Sequence, residues 1–299
     1  MSENSTLLFS GCATALVTPF LPDGALDEDA LRRLIRIQIN AGIDALVLLG
    51  TTGEPSTLSI QERERVISIG METANGRLPV IVGTGSNDTR KAMEYARQAK
   101  RLGALGQLCV TPYYNKTTQS GLLRHYKAIL SVCDLPMIVY NVPSRTGMSI
   151  LPDTIKALAL HPMIAGIKEA SGDPALAADM IRLTEGRLPV YCGNDDLIVS
   201  LMALGAKGAV SVCSNVVPAQ TKAVTHACLS GCFDEARDAQ QVLLPLIQAL
   251  FSQVSPIPVK AALSMMGLIH DELRLPLTSL DEPSRSRLED LLRQMHLLQ

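Results

Sequence analysis

The sequence predicts a (β/α)₈ barrel, a TIM barrel, followed by a C-terminal three-helix extension. Three observations carry this expectation. Eight short apolar runs recur through the first three quarters of the 299 residues, segments of helical length separate them, and the alternation then stops. Runs of roughly four to eight such residues, bounded by Gly or Pro, read as strands buried on both faces, as in parallel sheets. Strands alternating with helices imply βαβ units with right-handed crossovers. Eight such units in about 220 residues fit a closed barrel better than an open doubly wound sheet. No Gly-x-Gly-x-x-Gly follows the first run, which also weighs against a dinucleotide fold.

The runs are Cys12–Thr18, Ala45–Leu49, Pro79–Gly83, Gln107–Thr111, Met137–Asn141, Ile164–Lys168, Val190–Gly193 and Ala209–Cys213. Asp27 can cap the first helix, which carries Leu31, Leu34 and Ile35, and Ser59 with Glu62 forms a capping box that opens the next. Asn87 precedes the helix with Ala92–Ala96, and Pro152 opens Asp153–Leu160. From Pro218 the pattern is helical only: Pro218–Leu229, Phe233–Phe251, Ile257–Leu268 and Pro283–Leu297. The first of these completes the barrel. The expected division is a barrel catalytic domain over residues 1–230 and a helical extension over 231–299. The Leu- and Met-rich faces of the extension need a partner surface, either the barrel or another subunit.

Composition narrows the function classes. With 47% hydrophobic and 19% charged residues and a net charge of −2, the chain can build one large domain, or a domain with a subdomain. No basic run offers a footprint for nucleic acid or an anionic membrane. The start is polar and acidic, and no stretch approaches about 18 uninterrupted apolar residues, so neither a signal peptide nor a spanning helix is expected. The seven cysteines are odd in number, and Cys12, Cys109, Cys133, Cys192 and Cys213 lie inside apolar runs. They read as small core hydrophobes in a reducing compartment, so a cytoplasmic location is expected.

In such barrels function collects at the C-terminal ends of the strands. Lys168 ends the sixth run, on one face with Gly166 and Ile164 if the strand alternates regularly. It is either a strand-end lysine in solvent or paired to Glu169, or a desolvated amine with Gly166 leaving room for it. The distinction matters, because only roughly one ordinary lysine in a few thousand is neutral at pH 7. Lowering its pKa to about 7–8 raises that fraction several hundredfold and makes the amine a nucleophile towards a carbonyl. Gly50-Thr51-Thr52-Gly53-Glu54 is either a tight turn or a set of hydroxyls and N–H groups suited to a carboxylate. Tyr140 is either a core tyrosine or a proton relay beside Lys168. Arg145, within Ser144-Arg-Thr-Gly147, is either a solvated charge or a bidentate carboxylate clamp. The five histidines form no catalytic or zinc-ligand pattern; His226, Cys228 and Cys232 cluster at one helix end without a fourth ligand.

Taken in order, Gly50–Glu54, Thr111-Pro-Tyr-Tyr-Asn115, Tyr140-Asn-Val-Pro-Ser-Arg-Thr-Gly147 and Gly166-Ile-Lys-Glu-Ala170 resemble the dihydrodipicolinate synthase / N-acetylneuraminate lyase superfamily of pyruvate-dependent class I aldolases. The resemblance runs from Leu8 to Pro276, through Gly205–Gly208 and Ser255–Lys260, and is strongest to the dihydrodipicolinate synthase family. It implies that Lys168 forms a Schiff base with pyruvate and that Tyr140 carries protons. It also implies that Thr52 links Tyr140 to Tyr114, which reaches in from a neighbouring subunit. Thr51 and Thr52 would bind the pyruvate carboxylate, Arg145 the carboxylate of L-aspartate 4-semialdehyde, and the backbone of Gly193 and Val210 would line the pocket. The implied reaction is the condensation that leads to lysine and diaminopimelate; it uses no cofactor and no metal, and the implied assembly is a homotetramer, a dimer of dimers. The Ser-Arg-Thr-Gly run and the double tyrosine distinguish this reading from an aldolase or lyase for a sugar-derived 2-oxo acid. A more distant alternative is a barrel that binds a carboxylate without turnover. One departure stands out. Where lysine-inhibited relatives carry a glutamate, this chain has Lys91, and nearby family histidines correspond to Ile60 and Arg63, so weak or absent inhibition by lysine is expected.

Overall fold

The computed structural model describes residues 7–298; the polar start lies outside them. Eight parallel strands close into one barrel in sequence order, with the last paired to the first. They are β1 Gly11–Ala15, β2 Ala45–Leu48, β3 Val80–Gly83, β4 Gly106–Val110, β5 Met137–Asn141, β6 Ile164–Glu169, β7 Val190–Cys192 and β8 Gly208–Ser211. The helices are α1 Glu28–Asn40, α2 Ile60–Ala74, α3 Thr89–Arg101, α4 Gln119–Leu130, α5 Pro143–Thr146, α6 Pro152–Leu158, α7 Pro174–Leu183, α8 Ile198–Ala203, α9 Pro218–Leu229, α10 Phe233–Leu250, α11 Ile257–Met265 and α12 Glu282–Gln294. Each apolar run is a strand. The first stops three residues early, because the Asn215 side chain takes over from the ladder. It donates to the Ala15 carbonyl (2.8 Å) and accepts from Val17 N–H (3.2 Å).

The expected caps form where they were read. Asp27 accepts from Ala30 N–H at 2.9 Å, and Ser59 and Glu62 cap each other's backbone reciprocally. The cap of α3 is Asp88, which accepts from Arg90 N–H. Pro143 starts the one-turn helix α5 and the left-handed Gly147 ends it.

Two apolar clusters hold the barrel. One fills its interior with alternate strand residues, and Tyr191 stacks on Phe9 within it, ring centres 4.3 Å apart. The other lies between strands and helices and includes Leu246 and Leu250 of α10, Val259 and Leu263 of α11, and Leu288 and Leu292 of α12. The extension therefore buries apolar faces against the barrel itself. Each such aliphatic side chain contributes about 1.5–3 kcal/mol through burial. No helix among the described residues is long and apolar enough to cross a membrane.

Candidate active site

Strand pairing sets Tyr140 directly opposite Lys168 across β5 and β6. Both are buried, and the Lys168 Nζ lies over the tyrosine ring, 4.5 Å from its centre. Neither the solvent-exposed nor the Glu169-paired arrangement of Lys168 occurs. Glu169 accepts instead from the Asn141 side chain (2.8 Å) and from Ser171 N–H (2.5 Å), and its burial pushes its carboxyl up.

Two details of the sixth strand differ from the regular reading. The pairing of β5 with β6 slips after Met137, so Ile164 joins the outer cluster while Ala165 joins the interior. Lys168 thus shares its face with Gly166 but not with Ile164. Nor does Gly166 make room for the lysine: a Cβ there would meet the Tyr191 ring and the Pro189 carbonyl at 2.9 Å. The glycine that admits the lysine is Gly193, where a Cβ would stand 2.9 Å from Lys168 Cε, 2.6 Å from Ala170 Cβ and 3.0 Å from the Glu169 carbonyl.

After β2, Thr51–Gly53 form one 3₁₀ turn, with Thr51 half-buried and Thr52 buried. Glu54 closes the turn in the left-handed region at φ 50°. Its carboxylate is paired with Lys260 of α11 at 2.6 Å, and both side chains are out of solvent. Burial pushes the Lys260 ammonium down, and Glu54 opposes that. Lys260 and Arg274 both lie over the Phe20 ring, at 4.3 and 4.4 Å from its centre. Arg274 also binds Glu62, whose carboxyl it holds down at about 2.

A cleft of about 290 Å³ opens above these residues, lined by Thr51, Tyr113, Tyr140 and Arg145 together with Ser255 and Leu277 of the extension. The exposed Arg145 reaches across it and donates to the Ser255 carbonyl at 3.0 Å. Val210 is buried in the barrel interior. Lys168, Thr52, Gly193 and Val210 are not on the cleft wall; Tyr140, which is, adjoins the lysine. Tyr114 is not brought to Tyr140 within the chain. It is 91% exposed at φ 68° and is not among the residues that line this cleft.

Two features escaped the sequence reading. Asp195 is buried beside the site, accepting from Val212 and Cys213 N–H at 2.9 and 2.8 Å. Burial pushes its carboxyl up, while those donors and the Lys168 charge oppose the rise. Its Gly-Asn-Asp context after the seventh run was visible, but nothing local marked it as buried. The Glu54–Lys260 pair joins residues 206 apart in sequence, which no periodicity reveals. Elsewhere, His226 contacts the Asp44 carboxylate at 3.0 Å. Lys91 and Ile60 are exposed, whereas Arg63 is buried, donating to the Gly83 carbonyl (2.7 Å) with its guanidinium 3.8 Å from the Tyr95 ring centre.

Known proteins share this sequence and this fold over nearly the whole chain. A model of the dihydrodipicolinate synthetase family matches residues 8–295. The 4-hydroxy-tetrahydrodipicolinate synthase of Geotalea daltonii is 45% identical over 291 residues, covering 97% of this chain and all of the relative. The crystal structure of dihydrodipicolinate synthase from Thermotoga maritima superposes with a TM-score of 0.95 at 44% identity, covering 97% of this chain and 100% of that one. That of the chloride-inhibited dihydrodipicolinate synthase from Acinetobacter baumannii complexed with pyruvate does so with a TM-score of 0.95 at 43% identity, covering 97% and 99%. On its sequence, its barrel and these likenesses, the chain belongs to the dihydrodipicolinate synthetase family.

Proposed function

We propose that the chain condenses pyruvate with L-aspartate 4-semialdehyde to 4-hydroxy-tetrahydrodipicolinate, a step towards lysine and diaminopimelate. The observation that carries this reading is Lys168 buried at a strand end, opposite Tyr140, in a chain nearly half identical to synthases of that name. Thr51 and Thr52 hold the pyruvate carboxylate. The neutral Lys168 amine adds to the ketone carbon, and loss of water leaves a protonated imine. Tyr140 takes and returns the protons of these steps. Loss of a methyl proton gives an enamine, which adds to the aldehyde carbon of the second substrate, whose carboxylate Arg145 receives. Attack of the substrate amine on the imine carbon then expels the lysine and closes the ring. The backbone of Gly193 and Val210 bounds the pocket around the lysine.

In this reading residues 1–230 carry the chemistry, residues 231–299 brace it, and the enzyme works in the cytoplasm as a homotetramer. Thr52 then links Tyr140 to Tyr114 of a neighbouring subunit, which fits the exposure of Tyr114 in a single chain. Tyr114→Phe should slow turnover without changing pyruvate affinity, and full activity in that variant would refute the relay.

Borohydride reduction with pyruvate, followed by peptide mass analysis, tests the chemistry. The expected product is one pyruvate-derived adduct on Lys168; its absence would overturn the aldolase class altogether. Comparing turnover of the semialdehyde with that of sugar-derived 2-oxo acids tests the choice of second substrate.

A further inference from the structure

The turn read as the pyruvate-carboxylate subsite is held from outside the barrel's own loops. Lys260 Nζ donates to the Glu54 carboxylate at 2.6 Å and to the Thr18 carbonyl at 3.0 Å. The Thr18 hydroxyl in turn donates to the Gly53 carbonyl at 2.8 Å. The other Glu54 oxygen accepts from Arg274 N–H at 3.1 Å. Both ends of a short chain of contacts therefore meet at the last two residues of the Thr51–Glu54 segment. Glu54 adopts the left-handed backbone at φ 50°, which non-glycine residues keep only when their surroundings over-determine it. Here the surroundings are the extension's Lys260 and Arg274.

A buried ion pair is weak evidence of added stability, since apolar residues of similar volume often serve a core as well. Its distinctive property is direction: it fixes where two chain segments sit relative to each other. We propose that Glu54 and Lys260 are positioning residues for the pyruvate-carboxylate subsite, with Thr18 transmitting their hold to Gly53. The extension is then part of the binding apparatus rather than a passive cover. This inference rests on the assignment of Thr51 and Thr52 to the pyruvate carboxylate.

The test is a full-length Glu54→Gln/Lys260→Met double variant, in which both charges leave together and no uncompensated buried charge remains. The rate of borohydride trapping of pyruvate on Lys168 is measured against pyruvate concentration. The half-saturating pyruvate concentration is expected to rise about tenfold or more, because loosely held donors lose oriented contacts with the carboxylate. The limiting rate at saturating pyruvate is expected to stay within about threefold, since Lys168 and Tyr140 are untouched. A purely structural pair would lower the melting temperature and leave the half-saturation point unmoved. A rise below about threefold overturns the inference, as does loss of trapping at every pyruvate concentration in a folded double variant. Should that variant fail to fold, Thr18→Val severs the hold on Gly53 while keeping the ion pair, and the same rise is expected and the same threshold applies. A parent protein that traps no pyruvate refutes the functional reading and this inference with it. A parent that traps normally beside an unmoved variant refutes the inference alone.

Discussion

A methyl group added at Gly193 meets three atoms of the neighbouring β6 segment: Ala170 Cβ at 2.6 Å, Lys168 Cε at 2.9 Å and the Glu169 carbonyl oxygen at 3.0 Å. Carbon atoms pack best about 3.5–4.0 Å apart, so the lysine Cε would have to retreat by roughly 0.6–1.1 Å. The other two contacts are backbone or one bond from it. They cannot yield without stretching the bond from Gly193 N–H to the Glu169 carbonyl, now 2.8 Å. The flexible lysine gives way first. Overpacking of this kind costs about 1–3 kcal/mol, which lowers the melting temperature of a chain this size by a few degrees. The larger effect is on chemistry, where a displacement of about 1 Å from the reacting geometry can cost about a hundredfold. In Gly193→Ala, the limiting rate of borohydride trapping with pyruvate should fall by about that factor while the half-saturating pyruvate concentration changes little. A limiting rate within about threefold of the parent would refute the claim that Gly193 is what admits the lysine.

Arg145→Ala should raise the half-saturating concentration of the semialdehyde about tenfold or more and leave pyruvate trapping unchanged; equal losses for both substrates would contradict its assignment. Free L-lysine should inhibit weakly or not at all, because Lys91 places a cation on α3 and Arg63 is already buried against Tyr95. Half-inhibition at sub-millimolar lysine would sink that expectation. Burial pushes His125 down to about 4, so the folded chain keeps it neutral where the unfolded chain protonates it. The unfolded state binds the extra proton between about pH 6.5 and 4, so this residue's effect is a loss of stability as pH falls through that window. The loss is at most about 3 kcal/mol. In His125→Gln the fall in melting temperature over that range should be shallower, and identical slopes in parent and variant would rule the residue out as its source.

The strand count and the positions of Lys168 and Tyr140 at strand ends were legible because they rest on local periodicity and local turn chemistry. Asp27, Ser59 and Glu62 cap within their own helix starts, so sequence neighbours sufficed. Asp195 was not legible as a buried group. Its partners are the N–H groups of Val212 and Cys213, about one helix and one strand further on, and only the pairing of β7 with β8 brings them together. The early end of β1 depends on barrel closure, which pairs β8 with β1, since Asn215 lies 200 residues from the carbonyl it binds.

Alone, then, the sequence determined that Lys168 stands at the end of a buried strand with Tyr140 at the end of the strand before it. Apolar runs of strand length leave a chain few other ways to bury its backbone polar groups. The tertiary structure decided which glycine makes space for the lysine, which face Ile164 occupies, and how the extension grips the Thr51–Gly53 turn. Those outcomes depend on inter-strand register and on contacts between segments far apart in the chain, such as Glu54 with Lys260 and Arg145 with Ser255. Register is set by packing on both sides of a strand, and packing is a property of the assembled barrel rather than of any one run.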